Sequence, residues 1–220
     1  MASIKQNREF LKANLWEAWD SLQLDQCDGF PHPNAQKTYP KEASLIDLIP
    51  EETLTIGQMP VIEAIRRRKS QRSYTGGSIS IEELSYLLWA TQGVHRVYRG
   101  AEIVIRTVPS AGARHPFETY LFANHVEDLK TGLYRDLGIE HKLYPLETNV
   151  DLVDDVQEGT NGQYVQDSTV VFVWTVIPYR TEWRYGLLAH KMIAQDSGHV
   201  CQNLYLACES IGLGICAIGV

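Results

Sequence analysis

No Cys-x-x-Cys pair occurs among the four cysteines, Cys27, Cys201, Cys208 and Cys216, which argues against a zinc ribbon or a thioredoxin-type redox site. The last three sit in apolar segments, where free cysteine acts as a small hydrophobe; a reduced, cytoplasmic protein is the simplest reading. The opening residues, Met-Ala-Ser-Ile-Lys-Gln-Asn-Arg, lack the apolar core of a signal peptide. The longest apolar stretch, Val170 to Ile177, is far shorter than the ~20 residues a membrane helix needs. Positive charge is in deficit: the net charge is −7, so nucleic acid and anionic membrane are poor default partners. A local basic cluster can still hold an anionic ligand. No Gly-x-Gly-x-x-Gly follows a strand, and the P-loop, His-Glu-x-x-His and Gly-x-Ser-x-Gly patterns are missing. A nucleotide-fold dehydrogenase and a simple hydrolase are therefore disfavoured. No His/Cys spacing completes a metal set, and no metal is expected.

What is present suits one domain with an extension: 220 residues, 44% hydrophobic and 21% charged. Leu11, Leu15, Ala18, Trp19 and Leu22 recur at helical spacing and predict an amphipathic helix over 4–22. Gly29, Pro31, Pro33, Pro40 and Pro50 then make an irregular arm. The boundary falls near residue 58, giving an N-terminal helix and arm (1–58) and a main domain (59–220). Pro60 opens a second helix whose apolar face is Val61, Ile62 and Ile65. Ser80 and Glu83 form a capping box at the start of a third, running to Gly93. Thr119–Ala123 reads as a strand, and Gly132–Arg135 with His141–Tyr144 as a hairpin. Asp151–Glu158 reads as a short helix. Thr169–Ile177 is apolar enough for a central strand buried on both faces. The longest helix is expected over 187–211, with the apolar stripe Ile193, Val200, Cys201, Leu204, Cys208 and Ile211, and a final strand over 215–220. This order predicts an α+β fold with a mixed sheet.

Four segments have the residues for chemistry, and each has two readings. The run Arg66-Arg-Arg-Lys-Ser-Gln-Arg72 either surrounds a phosphate with guanidinium and hydroxyl donors or forms a solvated helix end. The small residues Ser110 to Ala113, inside Arg106–Glu118, either let backbone approach a planar or anionic ligand or form an ordinary loop. Tyr179-Arg-Thr-Glu-Trp-Arg-Tyr-Gly186 follows the apolar strand and reads either as a ligand-stacking loop or as a protein interface. Gln195, Asp196, His199, Gln202 and Asn203 make a polar stripe on the long helix. A hydrogen-bonded, half-buried face is favoured there over an acid–base pair.

Taken in order, these segments resemble the FMN-dependent nitroreductase superfamily, in its SagB-type (azoline dehydrogenase-like) branch. Ile65–Tyr74 resembles the opening Arg-Arg-Ser-x-Arg signature, and Glu83–Gly93 the helix after it. Arg106–Glu118, Arg180–Gly186 and Ala194–Leu206 are similar to the branch, and Ile211–Gly219 resembles its flavin-edge loop. The resemblance implies a nitroreductase-like three-layer α+β fold with a mixed central sheet flanked by helices, in a domain-sharing homodimer with FMN at the subunit boundary. It implies that Arg68, Lys69, Ser70 and Arg72 hold the flavin's phosphate, ribityl chain and pyrimidine side. Pro109, Ser110, Ala111 and Gly112 would come from the other subunit, Gln163 would add a hydrogen bond, and Ala217, Ile218 and Gly219 would lie at the N5 edge.

The implied activity is ping-pong hydride transfer, with NADH or NADPH as electron donor and a small molecule or peptide as substrate. Where the branch carries a Lys-Tyr pair for proton removal, this sequence has Arg184-Tyr185. Arginine stays protonated and is a poor base, so Tyr185 is left as the proton carrier. The resemblance also implies a C-terminal strand and arm beyond the residues present here. Alternative readings are a non-catalytic flavin-binding module or an accessory subunit of a peptide-modifying complex.

Overall fold

The computed structural model describes residues 3–148, 152–163, 165 and 167–219. Asp151 and Val220, and the side chains of Leu15 and Ala18, lie outside that description. The helices are α1 (Ile4–Phe10), α2 (Val61–Arg67), α3 (Ile81–Gln92), α4 (Val153–Gly159), α5 (Tyr179–Tyr185) and α6 (Ala189–Ser210). The strands are β1 (Ile46–Asp47), β2 (Val94–Tyr98), β3 (Ile103–Arg106), β4 (Phe117–Ala123), β5 (Gly132–Leu137), β6 (Lys142–Thr148) and β7 (Val170–Val176).

Five strands form the main sheet in the order β1-β6-β5-β4-β7, and β2 with β3 makes a separate hairpin that sequence periodicity did not reveal. Among the described residues all strand pairings are antiparallel. The parallel component expected of a mixed sheet is confined to two isolated bridges, Ser70 with Ile215 and Ile79 with Val126. The fold is α+β, a central antiparallel sheet flanked by helices.

One face of the sheet packs on α3 and α6. Leu84, Leu87 and Leu88 of α3 and Leu204, Ala207 and Cys208 of α6 meet Leu121, Ala123, Tyr134 and Leu143 of the sheet. Full burial stabilises each such leucine by about 1.5–3 kcal/mol. α3 starts where its capping box predicts: the Ser80 hydroxyl accepts from the Glu83 N–H, and the Glu83 carboxylate accepts from the Ser80 N–H.

The opposite face, represented by Glu118, Tyr120 and Arg135, is covered by the N-terminal arm. Glu118 accepts from the Lys37 N–H at 2.9 Å and pairs with buried Arg180. Arg180 also donates to the Asn34 carbonyl at 2.7 Å, and Arg135 donates to the carbonyls of Lys37 and Thr38. The arm further supplies β1 to the sheet edge and Leu48 to the core.

Several elements differ from expectation. The helix over 4–22 is broken: α1 ends at Phe10, and a 3-10 helix occupies Asn14–Ser21. Ile4, Phe10 and Leu11 are exposed, so the described residues of α1 offer no buried face to sustain a continuous α-helix, which propensity alone cannot do at this length. On α2 the expected apolar face, Val61, Ile62 and Ile65, points outward, and Ala64 is the buried residue. α2 lies on α6, where only a small side chain fits. β7 is an edge strand, paired with β4 alone and half-exposed, with Val173 and Val176 over 40% accessible. An apolar run gives no sign of how many neighbours its strand has. Tyr179–Tyr185 is a helix rather than a loop. The final strand shrinks to the single bridge at Ile215.

Two buried groups at the α3–β3–β5 corner make stability pH-dependent in opposite directions. Burial raises the Asp136 carboxyl from its ordinary 3.8 to about 7, partly offset by the Arg106 charge. Native Asp136 holds a proton that the unfolded chain has released, so it costs stability as pH rises across that interval. Burial, reinforced by Arg106 and Arg114, lowers His115 from 6.5 to about 3. Native His115 is neutral where the unfolded chain is protonated, so it adds stability as pH rises through that range. Asp136→Asn removes the first slope and leaves the second. Urea midpoints of the variant should climb with pH across the shared interval more steeply than those of the wild type; parallel curves would refute the assignment.

Candidate functional site

The residues singled out in the sequence fall into two clusters, both docked on α6. The first begins where α2 ends. Arg68 leaves the helix (φ −48°, ψ 123°), and the chain runs extended beside the C-terminal segment, with the Gln71 N–H donating to the Ile215 carbonyl at 2.8 Å. The Tyr205 hydroxyl on α6 joins the two stretches: it lies 2.9 Å from the Ser70 hydroxyl and accepts from the Ala217 N–H at 2.8 Å. The Arg68 guanidinium lies over the Tyr205 ring, 5.4 Å from its centroid. Gln163 donates to the Gly219 carbonyl at 3.4 Å. Arg68, Ser70, Gln163, Ala217 and Gly219 are therefore linked through these contacts, with Ile218 between the last two.

The basic run is divided. Arg66 and Arg67 pair with Glu63 at 3.6 and 2.6 Å, whereas Arg68, Lys69 and Arg72 have no carboxylate partner among the described residues. A cavity of about 650 Å³ opens next to this cluster, lined by Tyr74, Gln163, Phe172, Trp174, Cys201 and Ile218, among others. Arg68, Lys69, Ser70 and Arg72 lie outside its walls. Burial pushes the Cys208 thiol on that wall up to about 12, which leaves it a protonated hydrophobe.

The second cluster surrounds the small-residue turn. The Ser110 hydroxyl donates to Asp196 at 2.6 Å and accepts from the His115 N–H at 2.9 Å. Asp196 is buried; burial raises its pKa, and hydrogen bonds from the Ser110 hydroxyl and the Ala111 N–H lower it. His199 Nδ1 reaches the Pro109 carbonyl at 3.2 Å. The polar stripe of the long helix is thus, in part, the anchor of the 109–111 turn. Gly112 has φ +56°, and a Cβ there would fall 2.6 Å from the Tyr185 hydroxyl and 2.9 Å from Arg184 Cδ. Glycine lets the turn close on α5 without left-handed backbone strain or a shift of those side chains. Pro109, Ser110, Ala111 and Gly112 are thereby brought to Arg184 and Tyr185.

The anchors of the two clusters lie well apart on the same helix. Asp196 and Tyr205 are nine residues apart on α6. At 3.6 residues per turn and 1.5 Å per residue, that places them about 13 Å apart along the axis, on roughly opposite faces. Sequence reasoning missed Tyr205, which reads as one more apolar residue between Leu204 and Leu206. It also missed the packing of Trp19 near Tyr185, with ring centroids 6.0 Å apart.

The nitroreductase family profile matches residues 65–220. The chain belongs to the nitroreductase family. A Methanocaldococcus jannaschii protein described as a nitroreductase is 29% identical over 168 residues, covering 74% of this chain and 82% of its own. A Ralstonia eutropha structure of the same description aligns with a TM-score of 0.61 at 25% identity, over 84% of this chain and 83% of its own. A nitroreductase-like structure from Anabaena variabilis gives a TM-score of 0.63 at 24% identity; it covers 87% of this chain, but this chain spans only 35% of it. The Escherichia coli microcin synthetase McbBCD complex, solved with truncated pro-MccB17, shares the fold at a TM-score of 0.54 and 20% identity, over 88% of this chain and 70% of its own. Nitroreductase membership makes this chain a nitroreductase-like oxidoreductase. Among its described residues no helix is long and apolar enough to cross a membrane, and no His/Cys/Asp/Glu group is arranged to hold a metal.

Tyr205→Phe deletes the hydroxyl that ties residue 70 to residue 217. The expected cost is about 0.5–1.5 kcal/mol in urea denaturation, accompanied by faster amide exchange at Ala217. Unchanged exchange at Ala217 would mean that the hydroxyl does not hold this segment.

Proposed function

We propose that this nitroreductase is an FMN-dependent oxidoreductase of the SagB-type branch, active as a homodimer. The observation that carries the reading is the division of the site into two open halves on opposite faces of α6. A twofold axis alongside that helix would set the Ser70 half of one subunit against the Ser110 half of the other.

The residues fit FMN by their donor chemistry. Arg68, Lys69 and Arg72 are cations without carboxylate partners among the described residues, suited to a phosphate and to negative charge on the pyrimidine side. Ser70 and Gln163 offer hydroxyl and amide groups to the polar chain and ring edge, and Ala217–Gly219 present backbone to the N5 edge. The partner's Pro109–Gly112 turn, without bulky side chains, would lie against the ring. Bound FMN supplies two-electron hydride chemistry, alternately with a donor such as NADH or NADPH and with a small-molecule or peptide substrate. Tyr185 is the proton-carrying group at the turn, and Arg184 beside it supplies fixed positive charge.

The arginine at 184, where the branch has lysine, favours a second reading: a flavin-binding module without turnover, or an accessory subunit of a peptide-modifying complex. Both readings require FMN to bind; only the first requires NADH or NADPH to bleach the bound flavin in the presence of an acceptor. A purified protein that stays colourless when titrated with FMN would defeat both. Arg72→Ala is expected to weaken FMN binding by about 1–3 kcal/mol, roughly 5- to 150-fold, in fluorescence titration. Equal affinity in mutant and wild type would remove Arg72 from the site.

A further inference from the structure

We propose that Arg114 and Arg184 form an oxyanion subsite that takes the carboxylate of a flat-ringed organic acid. Arg114 is only 5% exposed, yet it has no carboxylate partner among the described residues. Its Nε has no hydrogen-bond partner, and one Nη reaches the Ala113 carbonyl only at 3.5 Å. The other Nη meets His32 Nε2. His32 Nδ1 donates to the Pro33 carbonyl at 2.7 Å, so Nε2 offers its lone pair to Arg114 and the ring brings no negative charge. The guanidinium lies 5.4 Å over the Trp183 ring.

Arg106 and Arg135 also have an unpartnered Nε, but the other buried arginines have carboxylate or well-placed carbonyl acceptors: Arg180 pairs with Glu118, Arg106 donates to the Gln92 carbonyl, and Arg135 donates to the carbonyls of Lys37 and Thr38. Arg184 is half-buried near Arg114; among the described residues it donates to Gln26 at 3.4 Å and lies over the Tyr185 ring. The proximity of the two cations is reflected in Arg114, whose pKa is lowered first by burial and then by the Arg184 charge. A buried guanidinium next to a second cation, with unused donors and no counter-ion, is costly until an anion joins it. Two guanidiniums offer the paired donors that a two-oxygen anion accepts.

The surroundings select among anions. Gly112, two residues before Arg114 and packed on the Arg184 side chain, is exposed, so the turn that carries Arg114 reaches the surface beside Arg184. Beside Tyr185 lies Trp19, and stacked on Trp19 at 5.4 Å is Trp16, about half exposed. This aromatic surface next to two cations suits an acid with a planar ring better than inorganic phosphate. The subsite is composed of this chain's own side chains and needs no flavin. Its use as a substrate subsite rests on the function proposed above.

The test is calorimetric titration of the flavin-free protein with benzoate, acetate and inorganic phosphate. Benzoate should saturate one site per chain, with acetate and phosphate each about tenfold weaker or more, and Arg184→Met should weaken benzoate about tenfold. Trp19→Ala should reduce the preference for benzoate over acetate. Arg114→Met is informative only if its thermal melt stays cooperative; Arg184→Met, at a half-exposed position, keeps the test decisive if it does not. Absence of benzoate binding, or binding indifferent to Arg184→Met, overturns the subsite. Phosphate binding tighter than benzoate overturns the assignment to an organic acid. Flavin binding without benzoate binding would refute the subsite and leave the proposed function standing; the reverse result would do the opposite.

Discussion

The site is organised by the spacing of two hydrogen-bonding side chains on one rigid helix. Asp196 fixes the small-residue turn through Ser110 and Ala111, and Tyr205 fixes the basic loop and the C-terminal segment through Ser70 and Ala217. Because α6 is also the core helix, with Val200, Leu204 and Cys208 buried on its length, neither anchor can shift without disturbing the packing. Each cluster inherits its position from the hydrophobic core rather than from its own loop. That is how a chain rich in irregular segments can hold polar groups at defined separations.

The N-terminal arm performs the corresponding task on the other side of the molecule. It has little regular structure, and its attachment is ionic and hydrogen-bonded: Asn34, Lys37 and Thr38 bond through their backbone to Arg180, Glu118 and Arg135. Buried charges are expensive unless paired, and here the partners include main-chain groups that would otherwise be orphaned. The same arm continues along α5, where the Trp183 indole N–H donates to the Phe30 carbonyl and Tyr179 donates to Asp25. The helix bearing Arg184 and Tyr185 is therefore positioned from one side by the arm and from the other by α6.

Local signals were the legible ones. The Ser80–Glu83 capping box and the β5–β6 hairpin were readable because the residues that specify them are neighbours in sequence. The basic run and the small-residue turn were readable as binding candidates from composition, and their order along the chain brought the family into view. Context-dependent features were not readable. α5 carries three aromatic residues and a threonine, all of modest helix propensity, and it is helical against the arm that covers it. β7 is apolar because α6 and a cavity lie against it, and nothing in its composition encodes an edge. Tyr205 is concealed by helical periodicity, which marks it as core while its hydroxyl organises a site. The unsatisfied state of Arg114 is a property of the folded surroundings and leaves no trace in the sequence.

Arginine at 184 has a consequence that lysine would not have. A lysine ammonium held near Arg114 in a half-buried setting would have its pKa depressed by both burial and the neighbouring charge, and could lose its proton to serve as a base. A guanidinium in the same place keeps its charge at any working pH. Under the function proposed above, arginine here would exchange a proton acceptor for a permanent cation and leave proton transfer at the turn to the hydroxyl of Tyr185. With Arg114 behind it, Arg184 makes this corner electropositive within a protein of net negative charge. If the proposed function holds, such a corner would favour substrates that arrive with an anion to place there over substrates that need a proton removed by a neutral amine.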